Sequence, residues 1–167
     1  LADPSRLWTD LFAHRFSGNG STTRDIEGHS LGNLILVALA ERLGSLPRAI
    51  EQAAKELGIV PTHKVYPSTL DSVILHAKLM NGREMVGQYR ISHAVPGNTQ
   101  IDTVYLKHES PHHKVNANPA AVAAIKRANI IVIAPGTLYG SLLSAMIVPE
   151  IKKALELDIP VMTYPEA

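Results

Sequence analysis

The sequence predicts an α/β fold with a mainly parallel sheet and a β-hairpin insertion. Between residues 129 and 134 it reads Ile-Ile-Val-Ile, a short apolar strand typical of a parallel sheet covered on both faces. From Pro119 onward, helix, strand, loop, helix and strand patterns follow one another, as in a sheet with crossover connections. Two alternating apolar and polar runs also meet at Asn81-Gly82, a strong hairpin signal.

Three helices are predicted in the first third of the chain, because apolar residues recur there at helical spacing. The second is apolar all round in its middle and is therefore predicted to be buried. Gly44 and Gly58 supply the stops of the second and third helices. Residues 17–27 are polar and glycine-bearing, a loop long enough for a binding role. The predicted helices span residues 4–16, 30–43 and 47–57.

The remaining elements alternate between strands and helices. The second strand of the hairpin is predicted to run to Ile91, and Pro149 is predicted to break or restart the last helix. A polar loop rich in His and Asn, residues 107–118, precedes the helix that starts at Pro119. The predicted strands are 72–80, 84–91, 101–106, 129–134 and one starting at 158, and the predicted helices are 119–128 and 142–157.

Composition limits the function classes. The chain has 167 residues, 46% of them apolar, which fits one globular domain and excludes disorder. Sixteen Lys and Arg balance 15 Asp and Glu, which argues against a polyanion-binding surface and so against a nucleic-acid partner. The absence of Cys excludes disulfides, Cys–zinc sites and a Cys nucleophile. The longest apolar run, residues 34–40, is too short to span a membrane, so a cytoplasmic location is expected.

The first loop that could carry chemistry is Gly28-His29-Ser30-Leu31-Gly32-Asn33. It matches the G-x-S-x-G nucleophile elbow of serine hydrolases, with Ser30 as nucleophile, but polar residues precede it where the elbow needs a buried strand. Ser30 as the cap of the second helix is the better interpretation, and free N–H groups there form an anion site. His29 and Asn33 project to the same side of that helix start. A capped helix without a ligand remains the alternative.

The second loop is Pro135-Gly136-Thr137-Leu138-Tyr139-Gly140-Ser141. It follows the apolar strand, and ligands of open α/β sheets bind at the carboxyl ends of strands. Gly136 permits close backbone approach, Thr137 and Ser141 offer hydroxyls, and Tyr139 offers a stacking face or an O–H. This set suits a phosphate or a nucleotide sugar, although no Lys follows the glycine as in the P-loop. The alternative is an ordinary strand-to-helix turn.

Other polar residues give weaker signals. Arg15 could reach a phosphate, although an arginine at a helix end more often meets carbonyl groups. His112-His113 could bind a metal, but adjacent histidines more often lie in solvent. His76 is predicted to be a surface residue of the hairpin.

Taken in order, His14-Arg15-Phe16, Gly28-His29-Ser30-Leu31-Gly32-Asn33 and the run from Ile133 to Ser141 resemble the gluconeogenesis factor (YvcK) family of the CofD-like superfamily. The superfamily includes the 2-phospho-L-lactate transferases. The resemblance implies a Rossmann-like three-layer fold and a regulatory protein that binds a UDP-sugar, UDP-N-acetylglucosamine, with roles in carbon metabolism, cell shape and cell-wall synthesis. The implied ligand-binding residues are Arg15, His29, Ser30, Asn33, Pro135, Gly136, Thr137, Tyr139 and Ser141.

The same resemblance leaves alternatives open. In the transferase branch a nucleotide-activated phospholactate would be passed to a deazaflavin, but the Pro-Gly-Thr-Leu-Tyr-Gly-Ser loop favours the gluconeogenesis factors. Residues 1–167 are expected to be one incomplete domain, without the family's first glycine-rich loop and its last strands. Acidic residues that could hold a divalent metal belong to that absent part, so no catalytic residue is assigned. Protein partners in cell-wall regulation and self-association are compatible with this reading.

Overall fold

The computed structural model describes residues 4–17, 26–92 and 100–163. The chain divides into two compact units, Leu1–Val65, here called the helical unit, and Tyr66–Ala167, here called the α/β unit. The helical unit contains α1 (Pro4–Ala13), α2 (Leu31–Leu43) and α3 (Leu46–Glu56). The α/β unit contains β1 (Val73–Leu79), β2 (Glu84–Val86), α4 (Gln88–Ser92), β3 (Ile101–His108), α5 (Pro119–Lys126), β4 (Ile131–Ile133), a π-helix (Leu138–Leu143), α6 (Ser144–Met146), α7 (Pro149–Leu155) and β5 (Val161–Thr163).

The three helices predicted in the helical unit are present. Ser45 caps α3 by accepting a hydrogen bond from the backbone N–H of Arg48, and Gly44 ends α2 with a φ of 64°. The prediction that α2 is buried all round is wrong for the described residues. Gly32 is its only buried residue, and Val37 is 56% exposed, because α1 and α3 cover only part of its surface.

Strand β1 of the hairpin is the central strand of a three-stranded antiparallel sheet of order β2-β1-β3. The predicted alternation of β1 is confirmed, since Leu75, Ala77 and Leu79 are buried on one face. His76 lies on the other face and pairs with Tyr105 of β3. Strands β2 and β3 pair with the two edges of β1, so the buried residues of β1 lie on one face of the sheet.

The second strand of the hairpin is shorter than predicted. It ends at Val86, and Gly87 adopts a φ of 96°, a left-handed conformation that only glycine reaches without strain. Residues 88–91, predicted as strand, instead belong to α4, which places Ile91 at 2% exposure against Leu75 and Ala77. A turn into a helix buries Ile91 as well as a longer strand would, so the alternating pattern alone could not distinguish them.

The parallel pair near the end of the chain is confirmed. Strand β4 pairs in parallel with β5, with Val132 opposite Met162, and α7 lies between them in sequence. The expected cover on both faces is absent among the described residues, since Val132 is 50% exposed. The predicted helix 142–157 begins earlier, as the π-helix, and restarts at Pro149 as predicted. The α/β class and its hairpin insertion are thus observed.

Two apolar clusters support the α/β unit. One joins β1 and α4 through Leu75, Ala77 and Ile91, and the other joins α5 and α7 through Ala121, Val148 and Ile151. Helix α5 begins where predicted, with the buried side chain of Asn118 accepting from the N–H of Ala120. Within the described ranges, no helix is long and apolar enough to cross a membrane.

Candidate functional site

The predicted second loop forms a compact turn after β4. The carbonyl of Thr137 accepts the N–H of Ser141 at 2.9 Å and that of Leu142 at 3.1 Å, so the helix starts with a widened, π-type turn. The same turn brings the hydroxyl oxygens of Thr137 and Ser141 to 3.0 Å, and both residues are exposed. Two hydroxyls therefore stand side by side at the carboxyl end of a parallel strand. Turns of this π type are frequent at functional sites.

Gly140 anchors the turn to the rest of the unit. Its carbonyl accepts two side-chain hydrogen bonds, from Gln88 Nε2 at 2.9 Å and from Ser144 Oγ at 2.8 Å. Gly140 is buried, and a Cβ there would meet the Oγ of Ser92 at 1.8 Å. Contacts from α4 thus hold the turn, and neither Gln88 nor Ser92 was among the predicted site residues. The spacing of four residues from Gly140 could have drawn attention to Ser144, but not to α4.

Tyr139 and Pro135, at the same turn, differ in their burial and in their neighbours. Tyr139 is half-buried and packs against the cluster of Leu75, Ala77 and Ile91, so part of its ring already has protein neighbours. Pro135 is exposed and lines an apolar cavity of about 440 Å³ beside β4, together with Ser141. Gly136 is half-buried, and a Cβ there would lie 3.1 Å from the Cβ of Ser141. The ligand contacts assigned to these residues stay predictions.

The predicted first loop is a hydrogen-bonded turn at the start of α2. Ser30 caps α2 as predicted, since its Oγ accepts from the N–H of Asn33 at 3.2 Å and the residue is 8% exposed. Arg15 pairs with Ser30 in an isolated antiparallel bridge, and its guanidinium donates to the carbonyl of Gly28 at 3.0 Å. Both His29 and Asn33 are exposed. Arg15 therefore meets a carbonyl, the ordinary alternative for an arginine at a helix end.

This geometry weakens the serine-hydrolase hypothesis. Residues 26–28 form a turn, whereas a nucleophile elbow needs a strand there, and the Ser30 hydroxyl is nearly buried and engaged as a cap. His29 Nδ1 lies 3.4 Å from the carbonyl oxygen of Glu27, as the donor of a long hydrogen bond.

Four predicted site residues thus share one turn of the helical unit and five share one turn of the α/β unit. Each turn is a local structure of its own unit.

A group of charged residues lies on the outer face of the sheet, apart from both loops. Glu84 accepts the hydroxyl of Tyr105 at 2.8 Å, and Lys107 Nζ lies 3.8 Å from Glu84 Oε2. His76 stacks on Tyr105 with ring centroids 5.4 Å apart. The Tyr105 hydrogen bond, helped by Lys107, lowers the pKa of Glu84, and the same bond raises the pKa of Tyr105. Both shifts indicate a hydrogen bond that favours ionised Glu84 and neutral Tyr105.

We predict that this bond stabilises the protein only between two pH limits. A lowered pKa of Glu84 adds stability above its ordinary 4.5 that is lost as pH falls through the folded-state pKa. A raised pKa of Tyr105 adds stability below its ordinary 10.0 that is lost as pH rises through the folded-state pKa. Tyr105→Phe should therefore lower the melting temperature most between these limits and least outside them. Tyr66→Phe at an exposed tyrosine is the control, and a pH-independent difference would contradict the prediction.

The described residues contain no cluster of side chains suited to bind a metal ion. Across residues 4–17, 26–92 and 100–163, no three His, Asp or Glu side chains lie close enough to hold a metal ion. His108 and His113 are neighbours with centroids 5.1 Å apart, but the Nδ1 of His108 already accepts the N–H of Ser110. The expected metal ligands were assigned to segments outside this sequence, so that expectation stays a prediction.

A parallel strand pair with a glycine and hydroxyl turn at its carboxyl end, together with an antiparallel hairpin sheet, defines an α/β protein. The family of 2-phospho-L-lactate transferase CofD matches residues 1–164. The chain belongs to the CofD family, which confirms the resemblance and its Rossmann-like fold.

Individual relatives agree with this assignment. The gluconeogenesis factor of Bacillus subtilis is 37% identical over 152 residues, covering 90% of this chain and 44% of that protein. A crystal structure of protein BH3568 from Bacillus halodurans has a TM-score of 0.76 and 32% identity, over 98% of this chain and 48% of that one. A second crystal structure of the same protein gives a TM-score of 0.73. The chain spans about half the length of these relatives.

Proposed function

We propose that the protein binds a nucleotide sugar of the UDP-N-acetylglucosamine type and acts as a regulatory protein of the gluconeogenesis factor kind. Its proposed roles lie in carbon metabolism, cell shape and cell-wall synthesis. The observation that carries this proposal is the pair of exposed hydroxyls, Thr137 and Ser141, that follows a parallel strand. Relatives named gluconeogenesis factor support the regulatory part of the proposal.

The turn offers hydroxyl groups as hydrogen-bond donors, so it suits a diphosphate, which accepts hydrogen bonds, better than an anion that is held by charge alone. Phosphate oxygens accept hydrogen bonds, and hydroxyl groups in a fixed turn donate them without a cationic side chain. With 16 basic and 15 acidic residues, the chain has little net charge to attract polyanions in general. Recognition would thus depend on the placement of donors, which the Gly140 hydrogen bonds maintain.

Arg15, His29, Ser30 and Asn33 remain proposed contacts of the same ligand class in the helical unit. His29 and Asn33 are exposed, and the Asn33 side-chain amide is able to donate, whereas Arg15 and Ser30 already have backbone partners in their own turn. We therefore expect His29 and Asn33 to contribute more to binding than Arg15 and Ser30. The latter two maintain the shape of the turn.

Isothermal titration of the full chain with UDP-N-acetylglucosamine tests the proposal. Thr137→Val removes the hydroxyl and keeps the side-chain shape, and we expect about tenfold weaker binding, since a hydrogen bond to a charged group is worth about 1.5–3 kcal/mol. Thr103→Val, at an exposed threonine of β3, should leave the affinity unchanged. The absence of binding heat at millimolar ligand, or equal affinities of the two variants, would contradict the proposed site.

Transferase activity is the second candidate function, favoured by the description of the matching family as 2-phospho-L-lactate transferase. It requires transfer of the phospholactyl group from a nucleotide-activated phospholactate to a hydroxyl group of a deazaflavin, with a nucleoside monophosphate as the leaving group. Incubation of the full chain with both substrates and a divalent metal, followed by chromatography of the deazaflavin, distinguishes the two functions. Formation of a phospholactyl deazaflavin would replace the regulatory proposal, whereas UDP-sugar binding without product would support it.

A further inference from the structure

We propose that the cleft along the outer edge of β3 is a docking site for an extended acidic peptide segment, which would join the sheet as a further strand. The site is separate from the Thr137–Ser141 turn and does not depend on the proposed nucleotide-sugar function. The cleft has a volume of about 840 Å³. One wall is β3 from Val104 to His108, and the other is formed by Pro111, residues 113–116 and residues 147–150.

The direction of the backbone groups of β3 follows from its register with β1. The N–H of Glu109 donates to the carbonyl of Ser72, so residues 72 and 109 form a hydrogen-bonded antiparallel pair. Because these pairs alternate along the ladder, Tyr105 and Lys107 also direct their N–H and C=O groups towards β1. Val104, Leu106 and His108 must then direct theirs to the opposite side, into the cleft. No described residue supplies a backbone partner to these three.

An unpaired strand edge is a template for one kind of partner. Backbone N–H and C=O groups spaced at every second residue match those of another extended chain, which is the basis of peptide recognition by strand addition. The five residues from Val104 to His108 cover roughly 14 Å at the usual rise per residue. That length accommodates about five residues of a partner. The occupant is therefore expected to be a short extended segment.

The side chains around the cleft specify the character of that segment. Lys114 has no ionic partner among the described residues, and the Nε2 of His108 is left to donate, because its Nδ1 accepts from Ser110. The single acid of the lining, Glu150, is engaged by the N–H of Ala117. The half-buried side chains of Val115 and Ile147 supply an apolar wall. Successive residues of an added strand face opposite sides, so acidic residues that alternate with apolar ones fit both features.

A capped hexapeptide of alternating Val and Glu is the probe for titration against the full chain. We expect measurable binding that weakens in high salt, and no binding of the matching Val and Lys peptide. Lys114→Glu should weaken binding about tenfold, whereas Lys126→Glu, at an exposed position of α5, should leave it unchanged.

A second variant tests the backbone contacts. Val104→Pro removes an outward N–H, which an edge strand tolerates, and should weaken binding at least about tenfold while the circular dichroism spectrum stays native. Equal binding of both peptides, or full affinity of both cleft variants, would overturn the proposal. Sedimentation provides one further test: a dimer of the wild type that Val104→Pro dissociates would identify a second copy as the occupant and also overturn it.

Discussion

Gly32→Ala is expected to destabilise the helical unit more than other single-methyl additions. A Cβ at this position would lie 2.7 Å from the carbonyl oxygen of Phe12 and 3.3 Å from its Cα, so α1 would have to move away from α2. Adding a methyl group to a packed contact costs about 1–3 kcal/mol. Alanine is also favoured over glycine in a helix by about 1 kcal/mol, so the measured loss is what remains after that gain.

Thermal and urea unfolding of the full chain measure this effect. Phe12→Ala in the same chain relieves the contact with the ring, at 2.8 Å, but not the contact with the carbonyl, so it should restore little of the lost stability. Ala38→Leu enlarges an exposed residue of α2 and should change stability by no more than about 0.5 kcal/mol. A gain of about 1 kcal/mol in the free energy of unfolding of Gly32→Ala, the full helix-propensity effect, would show that the two helices are not in this close contact.

Gly140→Ala is expected to disturb both stability and ligand binding. The new Cβ would lie 1.8 Å from Ser92 Oγ, 3.1 Å from Ser92 Cβ and 3.0 Å from Thr137 Oγ1. The Ser92 hydroxyl can rotate away, but the other two contacts force α4 and the turn apart, at a cost of about 1–3 kcal/mol. Because the Thr137 hydroxyl oxygen is one of the atoms displaced, the affinity for UDP-N-acetylglucosamine should fall together with the melting temperature.

A double variant separates the hydroxyl contact with Ser92 from the contact of the new methyl group with Thr137. Ser92→Ala removes the hydroxyl at 1.8 Å and should recover part of the stability lost in Gly140→Ala, whereas Ser92→Ala alone should have a small effect. The contact with Thr137 persists, so the ligand affinity should recover less than the stability. Equal recovery of both quantities would contradict the expectation that the contact with Thr137 lowers the ligand affinity separately from the loss of stability.

Local signals predicted most of the secondary structure. The cap Ser30 and the stop at Gly44 act within a few residues, so the sequence around each was sufficient to predict it. The hairpin at Asn81-Gly82 and the face of β1 followed from a period of two. The end of β2 did not follow from this period, because Ile91 would be buried whether residues 88–91 formed a strand or, as observed, α4.

The candidate site likewise combines a local feature that the sequence indicates with contacts between distant segments that it does not. The hydroxyls of Thr137 and Ser141 are four residues apart, so one helical turn brings them together, as the sequence suggested. The hydrogen bond from Gln88 to Gly140 joins residues 52 positions apart, and no periodicity carries that information. For the same reason the sequence did not predict that the Tyr139 ring packs on β1 and α4.

By itself, the sequence determined the α/β class, the positions of the caps and turns and the two loops, since each depends on residues close together in the chain. Tertiary structure alone decided which side chains hold the loop after β4, which edge of β3 is unpaired among the described residues and how much of α2 is exposed. Those features depend on contacts between distant segments, where packing and hydrogen bonding select one arrangement among several that satisfy the same local pattern.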